Sequence, residues 1–428
     1  MVKLGKDMRS VSIVGVGCTP FCDFEEHPET QGIGEGEAFG YAALEAIADA
    51  GLEPRDIQYF YHGAANPFMI NDCITPNMQV ADWFGVRGIG SVAHSEACCT
   101  GYVALQEAVM AVASGTYDVV LSGAVDLAST LPVEHAPSHI RQPFPLEVML
   151  PSLDKIYDRA YGRPLDGAFG ISFDNWINEC RMTYDLSDDQ IDQALNGLSK
   201  VLRKAAVAHP LGYYDQDYDQ VAAEKGLASA DEFLASMFNP KVTMYLRVSG
   251  FETKCSGASA LVVMPTEKAL ALGVPHTPIE VLGTGSSAFE AGLASNERQG
   301  TTTAIKEVYE LTGVSPDEVD LFMCNDFFLA SEIVAAEECG YIPRGEAWQY
   351  AIDGRTAYWG DKPINPHGGR CNFGHAHGAS GLADVYEAVK QMRGEAGPTQ
   401  IEKRPETALL RGFGGSQNVR CQILRTVS

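Results

Sequence analysis

The hydrophobic pattern of the chain alternates short apolar runs with longer helical segments. The apolar run Val11–Val16 predicts a first β-strand. Residues Tyr102–Ser114 predict an apolar helix, and the run Asp118–Ala124 that follows predicts another strand. Strands that alternate with helices in this way are typical of an α/β protein.

A distant internal repeat links the two ends of the chain. The segment Ala43–Tyr61 has a counterpart at Ala304–Met323, and each predicts an amphipathic helix stopped by glycine, a proline turn and then a strand. A further matching strand precedes each copy, at Val11–Gly17 and Ile279–Gly285. Two similar α/β halves, at residues 1–128 and 276–428, explain this order of elements. The pairs that align at one constant offset are Gly51 with Gly313, Pro54 with Pro316, Asp56 with Glu318 and Ile57 with Val319.

Residues 129–275, between the halves, differ in composition. Aromatic residues, prolines and acidic runs predict an inserted, loop-rich domain with helices near Asp188–Val207 and Ala230–Met237. The acidic run Tyr213–Asp219 is expected to be a solvated surface. A strand near residues 255–265 is expected to return to the N-terminal half.

Composition excludes several classes of function. At 428 residues with 45% hydrophobic content, the chain is large enough for one extensive core or two fused ones. A formal net charge of -25 argues against nucleic acid and anionic membranes as partners. Its apolar runs are too short for a membrane span or a signal segment, so a cytoplasmic protein is expected. The 11 cysteines lack paired spacing, so neither a disulfide framework nor a metal site is expected.

The first segment that suggests chemistry is Ser95–Gly101, which contains Cys98 and Cys99 and leads into the apolar helix. A cysteine at the start of a helix lies among free N–H groups and the positive end of the helix dipole. Both lower a thiol pKa, and the N–H groups can stabilise an oxyanion. Free cysteines are also common as small buried residues in tight turns. The segment by itself fits both interpretations.

The second segment is the glycine-dense loop Asn365–Gly381, which presents His375 and His377 just before a helix. Its glycines allow the backbone to approach a neighbouring group closely and to adopt positive φ. A histidine beside a cysteine can take the thiol proton and activate the sulfur as a nucleophile. Together, the loop and Cys98 favour nucleophilic catalysis over a purely structural cysteine.

Both segments resemble active-site motifs of the thiolase superfamily. Ala97–Gly101 is similar to the thiolase nucleophile turn, and Gly374–Gly381 is similar to the thiolase Gly-His-Pro-x-Gly-Ala-Ser-Gly loop. Further matches follow in the family's order, at Val11–Phe21, Asn325–Phe328 and Gly412–Gly415. The resemblance implies the α/β thiolase fold, with two similar βαβαβαββ halves in a five-layered α-β-α-β-α arrangement and an inserted loop domain.

The inserted domain and the segment Cys255–Ala260 are similar to those of sterol-carrier-type and archaeal-type thiolases. The chain departs from the family in the Asn-Asp-Phe-Phe block. Sterol-carrier-type enzymes have histidine where Asn325 lies and cysteine where Phe327 lies, whereas other thiolases place this second cysteine where Gly412 lies. That cysteine is the acid/base for the substrate α-carbon. Because the chain has it at neither place, the sequence leaves this role open.

The resemblance implies roles in the thiolytic cleavage of a 3-oxoacyl-CoA. Cys98 is the expected nucleophile, activated by His375, and His375 with a water held by Asn325 is expected to stabilise the enolate. Backbone N–H groups of Cys98 and Gly414 are expected to form the oxyanion hole of the acyl thioester. The proton donor to the enolate is expected among four residues near the motifs, unless His375 acts twice or the CoA thiol donates: Cys371, His377, Cys324 and Cys99.

The expected cofactor is coenzyme A, as a substrate. Its phosphates have candidate contacts at Lys200, Arg203 and Lys204, and a solvated helix face explains these residues equally well. The resemblance also implies a homodimer that works with a small zinc-ribbon/OB-fold partner subunit, which would carry the metal that this chain lacks. A substrate with an additional carboxylate would contact one of four arginines: Arg141, Arg159, Arg163 or Arg247.

The resemblance leaves the substrate open. Cleavage of benzoylsuccinyl-CoA to benzoyl-CoA and succinyl-CoA, in aromatic degradation, is the first expectation, and acetoacetyl-CoA thiolase activity is the second. A C-acyltransferase or a retro-aldolase of the same fold is a third alternative, but retro-aldolases of this superfamily lack the nucleophile that Cys98 supplies. A structural subunit without activity is disfavoured because Cys98, Asn325 and His375 are all present.

Overall fold

The computed structural model, which describes residues 8–65, 75–127, 165–288, 294–414 and 418–427, contains a mixed β-sheet between layers of helices. Its strands are β1 (Val11–Cys18), β2 (Tyr59–Gly63), β3 (Gly90–His94), β4 (Val120–Leu127), β5 (Ser256–Pro265), β6 (Ile279–Ala288), β7 (Leu321–Cys324), β8 (Thr407–Gly414) and β9 (Asn418–Thr426). They lie side by side in the order β3-β2-β4-β5-β1-β6-β9-β8-β7.

The sheet consists of two groups of strands. β2 runs parallel to β3 and β4, and β5 returns antiparallel between β4 and β1, as expected for a strand near 255–265. In the second group, β7 and β8 are parallel, and β9 is antiparallel to β8 and β6. β1 and β6 join the groups through only two residue pairs, Ser12 with Glu280 and Ile13 with Ile279.

The helices of the described residues pack on these strands or form the inserted region. They are α1 (Glu35–Asp49), α2 (Pro76–Val80), α3 (Thr100–Ala113), α4 (Leu165–Thr183), α5 (Asp188–Ala208), α6 (Tyr218–Glu224), α7 (Ala230–Ala235), α8 (Thr266–Leu272), α9 (Ala294–Thr312), α10 (Leu329–Glu338), α11 (Ala347–Ile352), α12 (Gly369–Asn372) and α13 (Ser380–Arg393).

Three buried clusters establish the layer order. The first lies between α1 and the N-terminal strands β1, β4 and β5. The second surrounds α3 and α13, which contact strands of both groups. The third lies between the C-terminal strands and the helices α9 and α10. The order helix, strands, helices, strands, helices is the expected five-layered α-β-α-β-α arrangement, so the predicted fold is confirmed.

Both copies of the predicted repeat adopt the same structure. Gly51 and Gly313 have φ of 68° and 72°, the left-handed conformation that ends a helix. A short 3-10 turn follows each, at Pro54–Asp56 and Pro316–Glu318, and each turn has a capping box. β2 and β7 then begin. The proposed domain boundaries at 128/129 and 275/276 stay predictions.

In the inserted region, the predicted helix near Asp188–Val207 is α5, and the one near Ala230–Met237 is the shorter α7. The expectation that Tyr213–Asp219 is a solvated surface is wrong for two of its tyrosines, Tyr214 and Tyr218, because both rings pack on Arg203. Arg203 of α5 is buried, and its guanidinium lies 3.2 Å from the ring centre of Tyr214 and 4.5 Å from that of Tyr218. Cation–π stacking therefore draws these rings inward.

Candidate active site

The nucleophile turn is held in a strained conformation at the start of α3. Ala97, just before Cys98, has φ of 48°, which is uncommon for a residue with a side chain. The hydroxyl of Thr100 fixes the turn because it donates to the carbonyl of Ala97 (2.6 Å) and accepts from the N–H of Glu96 (2.8 Å). Cys98 lies at the outer side of this turn with 9% of its surface exposed, and Cys99 is fully buried.

The structure brings Cys98 and His375 together from opposite halves of the chain. His375 Nε2 lies 3.1 Å from Cys98 Sγ, and His375 Nδ1 lies 3.0 Å from the hydroxyl of Ser380. Because that hydroxyl donates to the carbonyl of Ala376 (3.0 Å), it accepts the proton of Nδ1. The lone pair of Nε2 therefore faces the thiol, as a general base requires.

The protonation of this pair differs from the sequence expectation. Burial lowers the pKa of His375 well below its ordinary value, and neighbouring positive charge from His377 and Arg370 lowers it further. Burial raises the pKa of the Cys98 thiol, and the carboxylate of Glu252 adds to the effect. The expectation of a lowered thiol pKa is therefore wrong. The resting pair is a neutral thiol beside a neutral imidazole.

A third side chain, the carboxylic acid of Glu252, lies beside both histidines of the loop. Its Oε2 is 3.3 Å from His375 Nε2, and its Oε1 is 3.7 Å from His377 Nε2. Sequence reasoning missed Glu252, since it lies in an irregular segment before β5 and carries no motif of its own. The one signal in the sequence is that Glu252 lies three residues before Cys255, where a segment similar to that of thiolases begins.

His377 is the second histidine of this cluster. Burial alone would lower the pKa of His377, but the carboxylates of Glu252 and Asp126 raise it above its ordinary value. The rings of His377 and His375 meet edge to face, with centres 4.7 Å apart. The ligand atoms of Glu252, His375 and His377 lie within 4.8 Å of one another and could hold a metal ion. The expected absence of a metal in this chain therefore stays a prediction.

A glycine of the nucleophile helix, Gly101, allows the histidine loop to pack directly against that helix. A Cβ on Gly101 would lie 2.7 Å from the N of Leu382 and 3.0 Å from the carbonyl of Gly378. The carboxylate of Asp126, at the end of β4, accepts hydrogen bonds from the N–H of Gly378 and of Ala65. The loop is therefore anchored to the N-terminal half directly after His377.

Asn325 and Gly414 lie on the other side of the nucleophile turn. Asn325 is fully buried, and its amide donates to the carbonyl of Phe413 (2.6 Å) and accepts from the N–H of Phe327 (3.1 Å). A Cβ on Gly414 would lie 2.7 Å from the N of Cys99. Gly414 thus lies against the turn, where its predicted oxyanion role requires it. One Asn325 amide hydrogen remains for the predicted water.

The position where other thiolases have their second cysteine is filled by a ring. A Cβ on Gly412 would lie 2.4 Å from Cδ2 of Tyr102, which is fully buried. The hydroxyl of Tyr102 donates to the carboxylate of Asp384, which also forms two bonds with Arg370 at 2.6 and 2.5 Å. The sequence showed that the thiol is missing here; the structure shows that no side chain fits.

Comparisons with known proteins agree with this geometry. A family model described as "Thiolase C-terminal domain-like" matches residues 290–425, and one described as "Beta-ketoacyl synthase, N-terminal domain" matches residues 62–136. The chain is 27% identical to an acetyl-CoA acetyltransferase of Methanothermobacter thermautotrophicus, over 96% of this chain and 97% of that protein. It is 26% identical to the benzoylsuccinyl-CoA thiolase subunit BbsB of Thauera aromatica, over 96% of each chain.

Similarity to thiolases extends along the whole chain and includes both segments that form the Cys98–His375 pair. The chain belongs to the thiolase superfamily. It is a thiolase-type acyltransferase that resembles the acetyl-CoA acetyltransferases, and thiolases use CoA thioesters as substrates. The fold also matches the solved structure of the Ltp2-ChsH2(DUF35) aldolase, with a TM-score of 0.75 and 22% identity over 97% of this chain and 98% of that chain.

In this thiolase, the predicted cysteine donors occupy structural positions. The thiol of Cys371 donates to the carbonyl of Asp326 (2.9 Å), and that of Cys99 donates to the carbonyl of Asn418 (3.3 Å). Cys324 is fully buried at the end of β7. Burial raises the pKa of all three thiols. Of the predicted donors, His377 alone lies beside His375 in the described part of the chain.

Of the three predicted phosphate contacts, the structure buries Arg203 and leaves both lysines accessible, so the prediction stays open for Lys200 and Lys204. Arg203 is buried under its tyrosines, and Lys200 pairs with Asp231 at 2.6 Å. Lys204 is exposed on α5 and fits the prediction. Among the arginines considered for a substrate carboxylate, Arg247 lies 3.8 Å from Asp192. The other three, Arg141, Arg159 and Arg163, lie outside the described residues.

None of the described helices combines the length and the apolar character that crossing a bilayer requires.

Proposed function

We propose that this chain catalyses the thiolytic cleavage of a 3-oxoacyl-CoA through an acyl-Cys98 intermediate. The observation that carries the proposal is the 3.1 Å contact between the Cys98 thiol and a neutral His375 whose tautomer is fixed by Ser380. A buried neutral pair of this kind generates a thiolate only when the base takes the proton, at the moment when the sulfur attacks.

The remaining groups of the site fit the two halves of the reaction. Cys98 attacks the keto carbon, the C–C bond breaks, and an acyl-CoA enolate departs from the acyl-enzyme; a second CoA thiol then takes the acyl group. The N–H groups of Cys98 and Gly414 would stabilise the oxyanion, and loss of one such donor typically costs about 3–4 kcal/mol. His375 and a water on Asn325 would stabilise the enolate.

Acylation of Cys98 tests the proposal directly. After incubation with a 3-oxoacyl-CoA or an acyl-CoA, intact-mass measurement of the wild-type protein should show one added acyl group, and Cys98→Ala should show none. Cys22→Ala is a matched control, since Cys22 is a buried cysteine that contacts Thr30 away from the site. An acyl adduct on folded Cys98→Ala would contradict the assignment.

For the substrate, we propose an acyl group with an aromatic ring, with benzoylsuccinyl-CoA as the first choice. The ring of Phe327 stacks on Phe413 with centres 5.6 Å apart and meets the edge of Phe173, also at 5.6 Å. The carbonyl of Phe413 accepts a hydrogen bond from the amide of Asn325, and the carbonyl of Phe327 accepts one from the N–H of Glu252. The aromatic residues therefore lie next to the site. A flat apolar acyl group would pack well there.

Acetoacetyl-CoA is the second candidate, because acetyl-CoA acetyltransferases of two archaea are 27% and 26% identical to the chain. Consumption of free CoA against a panel that contains both thioesters should separate them. Faster turnover of benzoylsuccinyl-CoA by at least about tenfold in kcat/KM, which corresponds to about 1.4 kcal/mol, would support an aromatic acyl group as the substrate. Preference for acetoacetyl-CoA would favour the second candidate.

We also propose a homodimeric core, located in the cytoplasm, that works with a small zinc-ribbon/OB-fold partner subunit. The similarity in fold to the Ltp2-ChsH2(DUF35) aldolase supports a partner of that kind. The native complex, isolated through a tag on this chain, should contain a second, smaller polypeptide with bound zinc. A zinc-free homodimer with full thiolase activity would contradict the partner proposal.

A further inference from the structure

The proposed reaction needs a proton donor at the substrate α-carbon, and the family's usual donor is absent. The ring of Tyr102 fills the space beside Gly412, and the alternative position for the cysteine holds Phe327. The thiols of Cys371 and Cys99 are bonded to backbone carbonyls. Unless His375 acts twice or the CoA thiol donates, a group that faces Cys98 and His375 from another direction carries the proton.

Glu252 faces the pair from such a direction. Its Oε2 lies 3.3 Å from His375 Nε2, the same nitrogen that lies 3.1 Å from Cys98 Sγ. The side chain of Glu252 is 19% exposed, that of His377 is 10% exposed, and that of His375 is fully buried. Glu252 is thus the member of this cluster most open to a molecule that enters the site.

The backbone holds Glu252 next to the block in which related enzymes carry their cysteine. The N–H of Glu252 donates to the carbonyl of Phe327 (2.8 Å), and Phe327 occupies that cysteine position. The next residue, Thr253, donates its N–H to the carbonyl of Arg370 (3.0 Å) and accepts from the N–H of His375 (2.7 Å). The backbone that carries Glu252 is therefore held in place relative to His375, as a positioned acid requires.

We propose that Glu252 is the catalytic acid/base at the α-carbon, in place of the missing cysteine. The assignment rests on the thiolytic function proposed above. It requires that Glu252 Oε2 exchange a proton both with His375 Nε2 and with the α-carbon of the bound acyl-CoA.

The proton sequence balances without any further reactant. The thiol proton of Cys98 passes to His375 Nε2 as the sulfur bonds to the keto carbon, and from there to Glu252 Oε2. When the C–C bond breaks, its electron pair forms the enolate, and Glu252 gives the proton to the α-carbon. His375 Nε2 then takes the proton of the incoming CoA thiol, whose sulfur displaces Cys98. The released Cys98 thiolate regains that proton from His375, so acyl transfer does not pass through Glu252.

The test separates the α-carbon step from acylation. In D₂O, wild-type protein should exchange the α-hydrogens of acetyl-CoA and succinyl-CoA for deuterium, measured by mass spectrometry. Glu252→Gln should lose this exchange by at least about 100-fold, the usual contribution of a general acid or base. Acyl-Cys98, formed from acetyl-CoA or benzoyl-CoA and measured as intact mass, should still reach the wild-type extent. Glu252→Asp should recover part of the exchange.

Two controls keep the result interpretable. Glu267→Gln removes the same charge from an exposed position on α8 and should leave exchange and acylation unchanged. All variants should show the wild-type melting temperature; if Glu252→Gln does not fold, Glu252→Asp carries the test through its reduced exchange. Each measurement is repeated in EDTA, because the same three side chains could hold a metal ion.

Each contrary result has a distinct meaning. Unchanged exchange in Glu252→Gln, or exchange that EDTA abolishes in the wild type, would overturn the assignment of Glu252 alone. Equal loss of acylation and exchange would also overturn it, since Glu252 would then merely position His375. A wild-type protein that never acylates Cys98 would overturn the proposed function, and the role of Glu252 with it.

Discussion

Replacement of Gly412 by alanine tests whether this site can accommodate any side chain. The new Cβ would lie 2.4 Å from Cδ2 and 2.6 Å from Cε2 of Tyr102. Unstrained carbon atoms lie about 3.5–4.0 Å apart, so the ring would have to move by about 1 Å. Its hydroxyl is bonded to Asp384, and Gly381 lies against the same Cδ2–Cε2 edge, so the ring has little freedom to move.

We therefore expect Gly412→Ala to cost about 3 kcal/mol in the free energy of unfolding, at the upper end of overpacking effects. Denaturant unfolding, followed by circular dichroism, measures this cost. Gly250→Ala is the matched control because Gly250 is also buried, but its added Cβ would lie 3.6 Å from Leu329, an ordinary contact. That substitution should cost less than about 1 kcal/mol.

A double substitution identifies the cause. In a Tyr102→Leu background the ring is gone, so the added cost of Gly412→Ala should fall below about 1 kcal/mol. A cost that stays the same in both backgrounds would show that Tyr102 is not the obstacle. A cost of less than about 0.5 kcal/mol in the wild-type background would also show that Tyr102 is not an obstacle. Gly412→Cys meets the same ring and should not restore α-hydrogen exchange to Glu252→Gln.

Two further predictions concern proton positions. Ser380→Ala removes the acceptor of His375 Nδ1–H, and a buried donor left unpaired costs about 1–3 kcal/mol. The substitution should therefore lower kcat about 10- to 100-fold and change KM by no more than about twofold. An unchanged kcat would contradict the tautomer assignment. Burial raises the pKa of Glu337 from 4.5 to about 7, although it accepts two backbone N–H bonds. Because the folded pKa is raised, its stabilisation is present below pH 4.5 and is lost as the pH rises through 7. The free energy of unfolding of Glu337→Gln should therefore rise relative to that of the wild type by up to about 3 kcal/mol between pH 5 and pH 8. A difference that is independent of pH would contradict this.

Local sequence patterns predicted the two α/β halves, and the resemblance to thiolases predicted their five-layered arrangement. The repeat predicted the glycine-stopped helices and proline turns because left-handed glycine and a fixed proline φ have few structural solutions. The motif order then placed Cys98 and His375 in one fold, and the structure brings their side chains within hydrogen-bond distance. Tyr218 escaped prediction because the partner of its ring, Arg203, lies in a different helix.

Two features of the site depend on burial and long-range contact, which local patterns do not contain. The pKa of Cys98 follows from its burial and from the nearby carboxylate of Glu252, not from the helix start. Glu252 itself looks like any acidic loop residue in the sequence. Its importance appears only when the backbone of Phe327 and the loop around His375 hold it in place.

The close packing of Gly101 against Leu382 and Gly378 has a consequence for the life of the protein before it is fully folded. Cys98 precedes a helix of the first half and His375 precedes a helix of the second, so neither half contains a working base and nucleophile together. A nascent or partly denatured chain therefore lacks the base that takes the Cys98 proton. Acylation of Cys98 with the help of His375 begins only when the two halves have met.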